Sequence, residues 1–341
     1  MMELPILDIA TFVADAASPA GQQFVQDLLA AAHGPGFVYL TGHGVPADLD
    51  VALFAAARGF FALPEAERRE LAIANSAAFR GYTVLGDERT NGKGDWRDQL
   101  DLGPEEAAPE FGDGDPSWLK LRGPNQWPTN LPELRAATLS WMAAMDAVGL
   151  AALRALALGL GQSVDHFDPG FVPDSDVHLK IIRYPAVPEA RADAGAAGQG
   201  VGLHQDTGLL TFILQDDVGG LQVQLGDRMV DAPRVDGAYL MNLGEMLQTA
   251  TDGYLRATPH RVVSPAGGCE RLSIAYFFNP RFELVFAPVE LPAHLAAEAA
   301  GANQVLADAS LSTLFGENNL KTRLRSHPDV AARHYPELAS S

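Results

Sequence analysis

Over the first hundred residues, apolar positions recur with a strand-like and a helix-like period in turn. Residues 4–9 (LPILDI) are a short apolar run that predicts a strand. Residues 18–32 then repeat Phe24, Leu28 and Leu29 at helical spacing, and Ser18 followed by Pro19 makes an N-cap and first-turn pair. GFVYL at 36–40 predicts a second strand, closed by Thr41-Gly42-His43-Gly44. Helices are expected over 47–61 and 64–74. The polar, glycine-rich segment 86–94 and the acidic, proline-rich stretch 103–116 read as loops, and Asp95-Trp96-Arg97-Asp98 between them reads as solvated. Residues 131–161, rich in Ala and Leu, predict one long helix that serves as the spine for a sheet.

Beyond the spine the period shortens to two. A strand is expected at 178–184, ending at Pro185. The segment after it, PAVPEARADAGAAGQG (185–200), is poor in large apolar residues and reads as a loop in the position of an active-site lid. The run Leu209 to Leu214, then GGLQVQL (219–225), RMVDAPRV (228–235), AYLMNLG (238–244) and RLSIAYFF (271–278), are short β-type runs broken by Gly, Asp and Pro. Their spacing is that of a sandwich or barrel. A helix is expected at 291–309, and a polar coil or short helix over the last twenty residues.

Within these runs stand residue types that strands do not need for packing. His204 and Asp206 in GLHQDTG, with His260 in TPHRV, offer two imidazoles and one carboxylate. That set holds Fe(II) on one face and leaves the opposite face open. Arg271 and Ser273 in ERLSIAYF follow eleven and thirteen residues after His260. Two apart on a strand, they share a face, and a guanidinium there can anchor an anionic cosubstrate. The His-x-Asp pattern alone carries little. With nine His and 43 acidic residues, about half of one copy is expected by chance, and the chain has three. His166-Phe167-Asp168 runs into the turn residues Pro169-Gly170, and His327-Pro328-Asp329 carries a proline that excludes a central strand. Only His204-Gln205-Asp206 leads into a strand. Taken singly, His260 reads equally well as a core histidine, and Arg271 with Ser273 as an ordinary strand-face pair. The five together point to a metal beside an anion.

Composition narrows the classes of function. Hydrophobic residues at 47% and charged ones at 20% of 341 are a globular balance with chain enough for a large core. A net charge of −19 argues against nucleic acid and anionic membrane surfaces, both of which need a cationic footprint. The lone cysteine, Cys269, excludes an internal disulfide framework and fits a reducing cytoplasm; two residues before Arg271, it reads as a bystander. The start, MMELPILDIATF, has no basic segment leading into a long apolar one, so no leader peptide is expected. No run is expected to reach the length of a membrane span.

With these residues in place, the chain resembles the isopenicillin N synthase-like family of non-haem Fe(II), 2-oxoglutarate-dependent oxygenases over most of its length. LPILDIATF, GFVYLTGHGVP and ARGFFALPEAER resemble that family's N-terminal part. LKIIRYP, HQDTGLLTFILQD, GGLQVQ, ATPHRVV and RLSIAYFFNP resemble its catalytic jelly roll. The resemblance implies an α+β fold: a double-stranded β-helix (jelly-roll) core with an N-terminal α/β region and flanking helices. The regions expected are 1–115 (N-terminal α/β), 116–175 (helical spine), 176–285 (catalytic core) and 286–341 (C-terminal helical tail). The resemblance places Fe(II) on His204, Asp206 and His260, and 2-oxoglutarate on Arg271, Ser273 and Tyr184, with O2 as the other cosubstrate. One departure is visible. The family often has Asn two residues before that tyrosine, where this chain has Ile182, which removes one polar contact.

The implied reaction hydroxylates or desaturates a small metabolite, with succinate and CO2 as coproducts. Arg80 and Tyr82 in FRGYT, and Phe277 beyond the Arg-x-Ser, are the implied substrate residues. Counting in twos from Arg271 selects Phe277 over Phe278. Arg80 suits a substrate carboxylate, and equally a surface place beside a turn glycine. Two other readings stand at this point: an iron oxidase that binds substrate directly to the metal without 2-oxoglutarate, and a non-catalytic binding module on the same fold. The partner expected is a small-molecule substrate, with no nucleic acid and no membrane. The pattern does not encode an oligomeric state.

Overall fold

Helix, large sheet and small sheet lie in three layers in the computed structural model, which describes residues 4–188, 199–265, 268–301 and 312–339. The helical layer follows the apolar stripes. Helix Pro19–His33 starts where the Ser18 hydroxyl accepts the Gly21 N–H at 3.0 Å, and it buries Phe24, Val25 and Leu28. Helix Ala47–Ala62 buries Leu53, Ala56, Ala57, Phe60 and Phe61. The spine is Pro132–Gly159, with buried side chains from Leu134 to Ala157. By length and composition alone it could cross a membrane, contrary to the expectation that no run is long enough; half of its most apolar window is buried inside the molecule. Gly149 is where the spine meets the sheet. A Cβ there would stand 2.5 Å from the Phe278 ring, so only glycine permits this approach.

Fourteen strands are formed by the described residues. The N-terminal ones are β1 (Ile6–Asp8), β2 (Phe37–Thr41), β3 (Gly81–Thr83), β4 (Arg89–Thr90), β5 (Lys93–Gly94) and β6 (Asp98–Leu102). After the spine come β7 (His178–Tyr184), β8 (Gln199–His204), β9 (Leu210–Gln215), β10 (Leu221–Leu225), β11 (Arg228–Asp231), β12 (Tyr239–Leu243), β13 (His260–Val263) and β14 (Arg271–Phe278). The large sheet has the order β1-β2-β12-β9-β14-β7-β6-β3, the small one β11-β10-β13-β8, and β4 pairs with β5 alone. The N-terminal region therefore extends the same sheet that carries Tyr184 and Arg271.

Two cores lie on the two faces of the large sheet. Leu179, Ile181, Leu272, Ile274, Tyr276 and Phe278 join the helical layer. Phe37, Ile182, Ile213 and Ala275 meet Val201, Leu221, Val223 and Val262 of the small sheet, which makes the two sheets a sandwich. Period two in β7 and β14 decides which residues face the small sheet. His178, Lys180, Ile182 and Tyr184 from one strand, and Arg271, Ser273, Ala275 and Phe277 from the other, line a single cavity. Phe278 goes to the helices, as the count in twos requires.

Several local expectations change. The helix expected at 64–74 is Glu65–Glu70 followed by one tight turn at Ile73–Asn75. The polar segment 86–94 holds the β4–β5 hairpin. The stretch read as solvated is the reverse: Asp95, Arg97 and Asp98 are buried, because their charges are paired inside the fold. Among the described residues of 291–309, only Ala293–Ala296 is helical, and 302–311 lie outside the description. Residues 189–198, the greater part of the expected lid, also lie outside it. The C-terminal end carries helix Phe315–Ser326, followed by Pro328–His334 and Pro336–Ala339. Phe315–Ser326 escapes an apolar-period reading because its buried face offers only two large apolar side chains, Phe315 and Leu320.

Candidate metal centre

β8 ends at His204 and β13 begins at His260, and the two are direct partners across the small sheet. Asp206 lies in the turn that carries the chain from β8 over to β9 in the other sheet. Register and turn together bring the three side chains to one point, where one donor atom from each lies within 4.8 Å of the other two. Asp206 Oδ1 is 3.6 Å from His204 Nε2 and 3.8 Å from His260 Nε2.

Each of the three is aimed by a contact on its far side. His204 Nδ1 lies 2.9 Å from the Gly202 carbonyl and His260 Nδ1 lies 3.1 Å from the Thr258 carbonyl. A carbonyl only accepts, so Nδ1 carries the proton and Nε2 presents its lone pair to the shared point. Asp206 Oδ2 accepts from Thr211 Oγ1 at 2.6 Å and from Asn242 Nδ2 at 2.8 Å, which leaves Oδ1 turned inward. Burial, and then the neighbouring His260, pushes the His204 imidazole down to about 4, so it is neutral at neutral pH. Burial opposes ionisation of Asp206, but His260, His204 and the two hydrogen bonds outweigh it and hold the carboxyl below its usual range. A neutral imidazole on His204 beside an ionised Asp206 suits a divalent cation. The donor set fits Fe(II).

Arg271 is buried and has no carboxylate within 4 Å among the described residues. Nη1 donates to Ser273 Oγ at 3.0 Å and Nη2 to Gln215 Oε1 at 2.9 Å, while Nε has no partner. The Tyr184 ring lies 4.8 Å from the guanidinium carbon, and Tyr184 is the register partner of Arg271. A buried cation with neutral partners and an orphaned donor is stabilised by an incoming anion. These residues therefore fit the far carboxylate of 2-oxoglutarate. His204, Asp206, His260, Arg271, Ser273, Tyr184 and Phe277 all line one cavity of about 620 Å³.

Two of the expected substrate residues are elsewhere. Arg80 does not reach the cavity. Its Nη1 bonds the Leu102 carbonyl at 3.4 Å and His178 Nδ1 at 3.2 Å, and its guanidinium lies against Gly103, where the missing side chain makes room. Tyr82 belongs to the helix-side core and donates to Asp98 Oδ2 at 2.8 Å. Both are buried, but behind the wall.

Other residues of the site carry no motif. Thr211, in the cavity wall, and Asn242, behind Asp206, are readable only as polar residues at buried positions of otherwise apolar strands. Glu88, Arg97, Lys180, Arg323 and His327 also line the cavity. Burial opposes ionisation of Glu88, yet Arg97 and Lys180 hold its carboxyl down at about 2. His327, half of a His-x-Asp set aside as a chance copy, takes no place at the metal point but is buried in the cavity wall.

Known proteins match along the chain. Residues 4–130 match the family described as non-haem dioxygenase in morphine synthesis N-terminal, and residues 176–280 match the 2OG-Fe(II) oxygenase superfamily. The 2-oxoglutarate-dependent dioxygenase frbJ of Dothideomycetidae sp. is 33% identical, over 98% of this chain and 93% of its own. The homoarginine-6-hydroxylase of Glycine max is 31% identical, over 84% of this chain and 88% of its own. Among solved structures, a 2OG-Fe(II) oxygenase family protein from Caulobacter crescentus superposes with TM-score 0.74 at 25% identity, covering 95% of this chain and 99% of its own. A Neurospora crassa protein in complex with alpha-KG and 5-formyluracil gives TM-score 0.75 at 24% identity, covering 94% and 96%.

Proposed function

The chain belongs to the 2OG-Fe(II) oxygenase superfamily and is an Fe(II)- and 2-oxoglutarate-dependent dioxygenase, and from that premise we propose the role of each residue in its cavity. His204, Asp206 and His260 hold the iron. Arg271 receives the far carboxylate of 2-oxoglutarate. Ser273, whose oxygen already accepts from Arg271, donates its own hydrogen to the same carboxylate, and the Tyr184 ring packs against the guanidinium. The observation that carries this reading is the coincidence, in one cavity, of three aimed metal donors with a buried guanidinium that has no counter-ion among the described residues.

Bound there, Fe(II) supplies the redox chemistry with O2 that converts 2-oxoglutarate to succinate and CO2 while the substrate is oxidised. The protein's own part is positional. Thr211 and Asn242 keep Asp206 from rotating, the Gly202 and Thr258 carbonyls fix the imidazoles, and Ile182, Ala275 and Phe277 give the cavity a floor that excludes water. The outcome proposed is hydroxylation of a small metabolite, supported by the hydroxylase name of the Glycine max relative and by a cavity of metabolite size. The proposal sets this reaction in the cytoplasm, which suits Fe(II) and a chain with one cysteine; cell fractionation checks it.

The test is anaerobic. Fe(II) is added to metal-free protein, then 2-oxoglutarate, and visible absorption is followed. A band that needs both additions is expected, lost in Asp206→Ala and weakened in Arg271→Ala. A band that persists in Asp206→Ala would place the iron elsewhere.

A further inference from the structure

The cavity has a second polar pole that iron and 2-oxoglutarate leave unused. Its wall is helix Phe315–Ser326 with the residue after it: Arg323 and His327 are four apart, share one side, and both line the cavity. Arg323 Nη1 and His327 Nε2 are buried and have no hydrogen-bond partner among the described residues. Arg323 Nη1 is 3.6 Å from Asp101 Oδ1, and His327 Nε2 is 3.8 Å from Glu88 Oε1, too far in each case for a hydrogen bond. Both carboxylates are taken by other groups. Lys180 Nζ lies 2.6 Å from Glu88 Oε1 and 3.5 Å from Asp101 Oδ1, Arg97 holds Glu88 at 2.9 Å, and His178 holds Asp101 at 2.9 Å. Two buried nitrogens side by side, one of them a guanidinium N–H that can only donate, mark a place where an acceptor is expected.

Charge points the same way. The chain carries −19, yet its cavity is cationic. With Arg271 and Asp206 set aside, Arg89, Arg97, Lys180, Arg323 and Arg325 face Glu88 and Glu245. Asp95 and Asp101 stand behind the wall, and so does the Arg80 guanidinium on His178, so the pole stays net positive. A net positive pole with one buried guanidinium lacking an acceptor suits a single carboxylate. Along β7, Lys180 beside one pole is four residues from Tyr184 beside the other, a rise of about 13 Å. Ile182, Ala275 and Phe277 line the span between them.

Resting on the iron and 2-oxoglutarate reading above, we infer that the substrate is a monocarboxylate. Its carboxylate lies on Arg323 and His327, and its apolar body lies over Phe277 toward the iron. Arg323 thus takes the place that the sequence offered to Arg80.

The probes are hexanoate and phenylacetate, each paired with its neutral amide, hexanamide and phenylacetamide. They are titrated by calorimetry into full-length protein loaded anaerobically with Fe(II) and 2-oxoglutarate. The acids are expected to bind at least about tenfold more tightly than the amides. Arg323→Gln is expected to remove that preference. Amides that bind as well as acids, millimolar acids that do not bind, or a preference that survives Arg323→Gln would each overturn the inference. A role for Arg323 confined to anchoring the helix would lower the melting temperature without touching the acid-to-amide ratio. If Arg323→Gln does not fold, the wild-type comparison still decides. The visible band of the same sample separates the two readings. Without it the iron and 2-oxoglutarate reading falls, and with it a failure of the acids counts against this inference alone.

Discussion

At the iron end of the cavity each imidazole is aimed by a carbonyl two residues upstream, Gly202 for His204 and Thr258 for His260. At the opposite end the segments are tied together by charged pairs far apart in sequence. Lys180 is 92 residues from Glu88, and His178 is 77 from Asp101. The iron end is rigid because the backbone of its own strands sets it. The far end is rigid only if four segments of chain fold correctly against one another. The first arrangement preserves one chemistry, while the second can be redrawn to accept a different molecule without disturbing the metal.

The largest effects are expected where the iron end is cut directly. Asp206→Ala removes the one carboxylate among three donors, so Fe(II) titration should show no site and succinate release should vanish. Arg271→Ala removes the cation that faces the far carboxylate. Truncating one partner of a buried charge pair costs about 2–5 kcal/mol, roughly 30- to several-thousand-fold in the 2-oxoglutarate requirement. Arg271→Lys should fall between, since it keeps the charge and loses the planar fork. Iron affinity should be unchanged in both Arg271 variants; a fall there would mean that the two functions share one support.

Next comes the far end. Lys180→Met leaves Glu88 and Asp101 facing each other without the ammonium that bridges them. Removing one member of a buried ionic set costs about 3–5 kcal/mol, to be read as loss of stability in denaturant titration. Activity per folded molecule should suffer less than in Arg271→Ala. The reverse ranking would move the catalytic weight of the cavity toward the C-terminal helix.

What the sequence discloses follows the same division. His204, Asp206, His260, Arg271 and Ser273 are legible because they stand in pairs two residues apart at or just beyond the ends of strands, or begin a strand directly paired with the first. Phe277 follows by counting. Asn242 is less legible, since a buried polar residue in a strand does not say which atom it serves. Arg323 and His327 are not legible at all. Their helix has too few apolar residues to declare itself, and their neighbours Glu88, Asp101 and Lys180 come from separate segments that only the tertiary fold brings near. Arg80 shows the opposite error: its position in the chain suits a substrate contact, but the bare backbone at Gly103 admits its guanidinium behind the wall.

Asn242→Ala sharpens the iron side of the comparison. Asp206 would keep only Thr211 on Oδ2, and loss of a hydrogen bond that orients a metal-binding carboxylate typically costs 10–100-fold in metal affinity or activity. Competition against a chelator measures it. The 2-oxoglutarate requirement at saturating iron should stay as in the wild type, because Asn242 touches Asp206 and not Arg271.

Tyr82→Phe should have the smallest effect, and it tests whether the wall between the cavity and the helical core is where the structure places it. The Tyr82 hydroxyl donates to Asp98 Oδ2 at 2.8 Å, and Asp98 keeps Arg183 on both oxygens, at 2.9 and 2.7 Å, when that hydroxyl is gone. The carboxylate therefore stays paired, and the loss is one hydrogen bond to a charged group, about 1.5–3 kcal/mol at most. The ring keeps its place against Phe60 and beneath the Arg68 guanidinium. Melting should shift by a few degrees, while kcat and both KM values remain those of the wild type, because no atom of Tyr82 faces the cavity. A rise in substrate KM alone, with unchanged melting, would bring Tyr82 back to the substrate and break the separation between the two sides of the sheet.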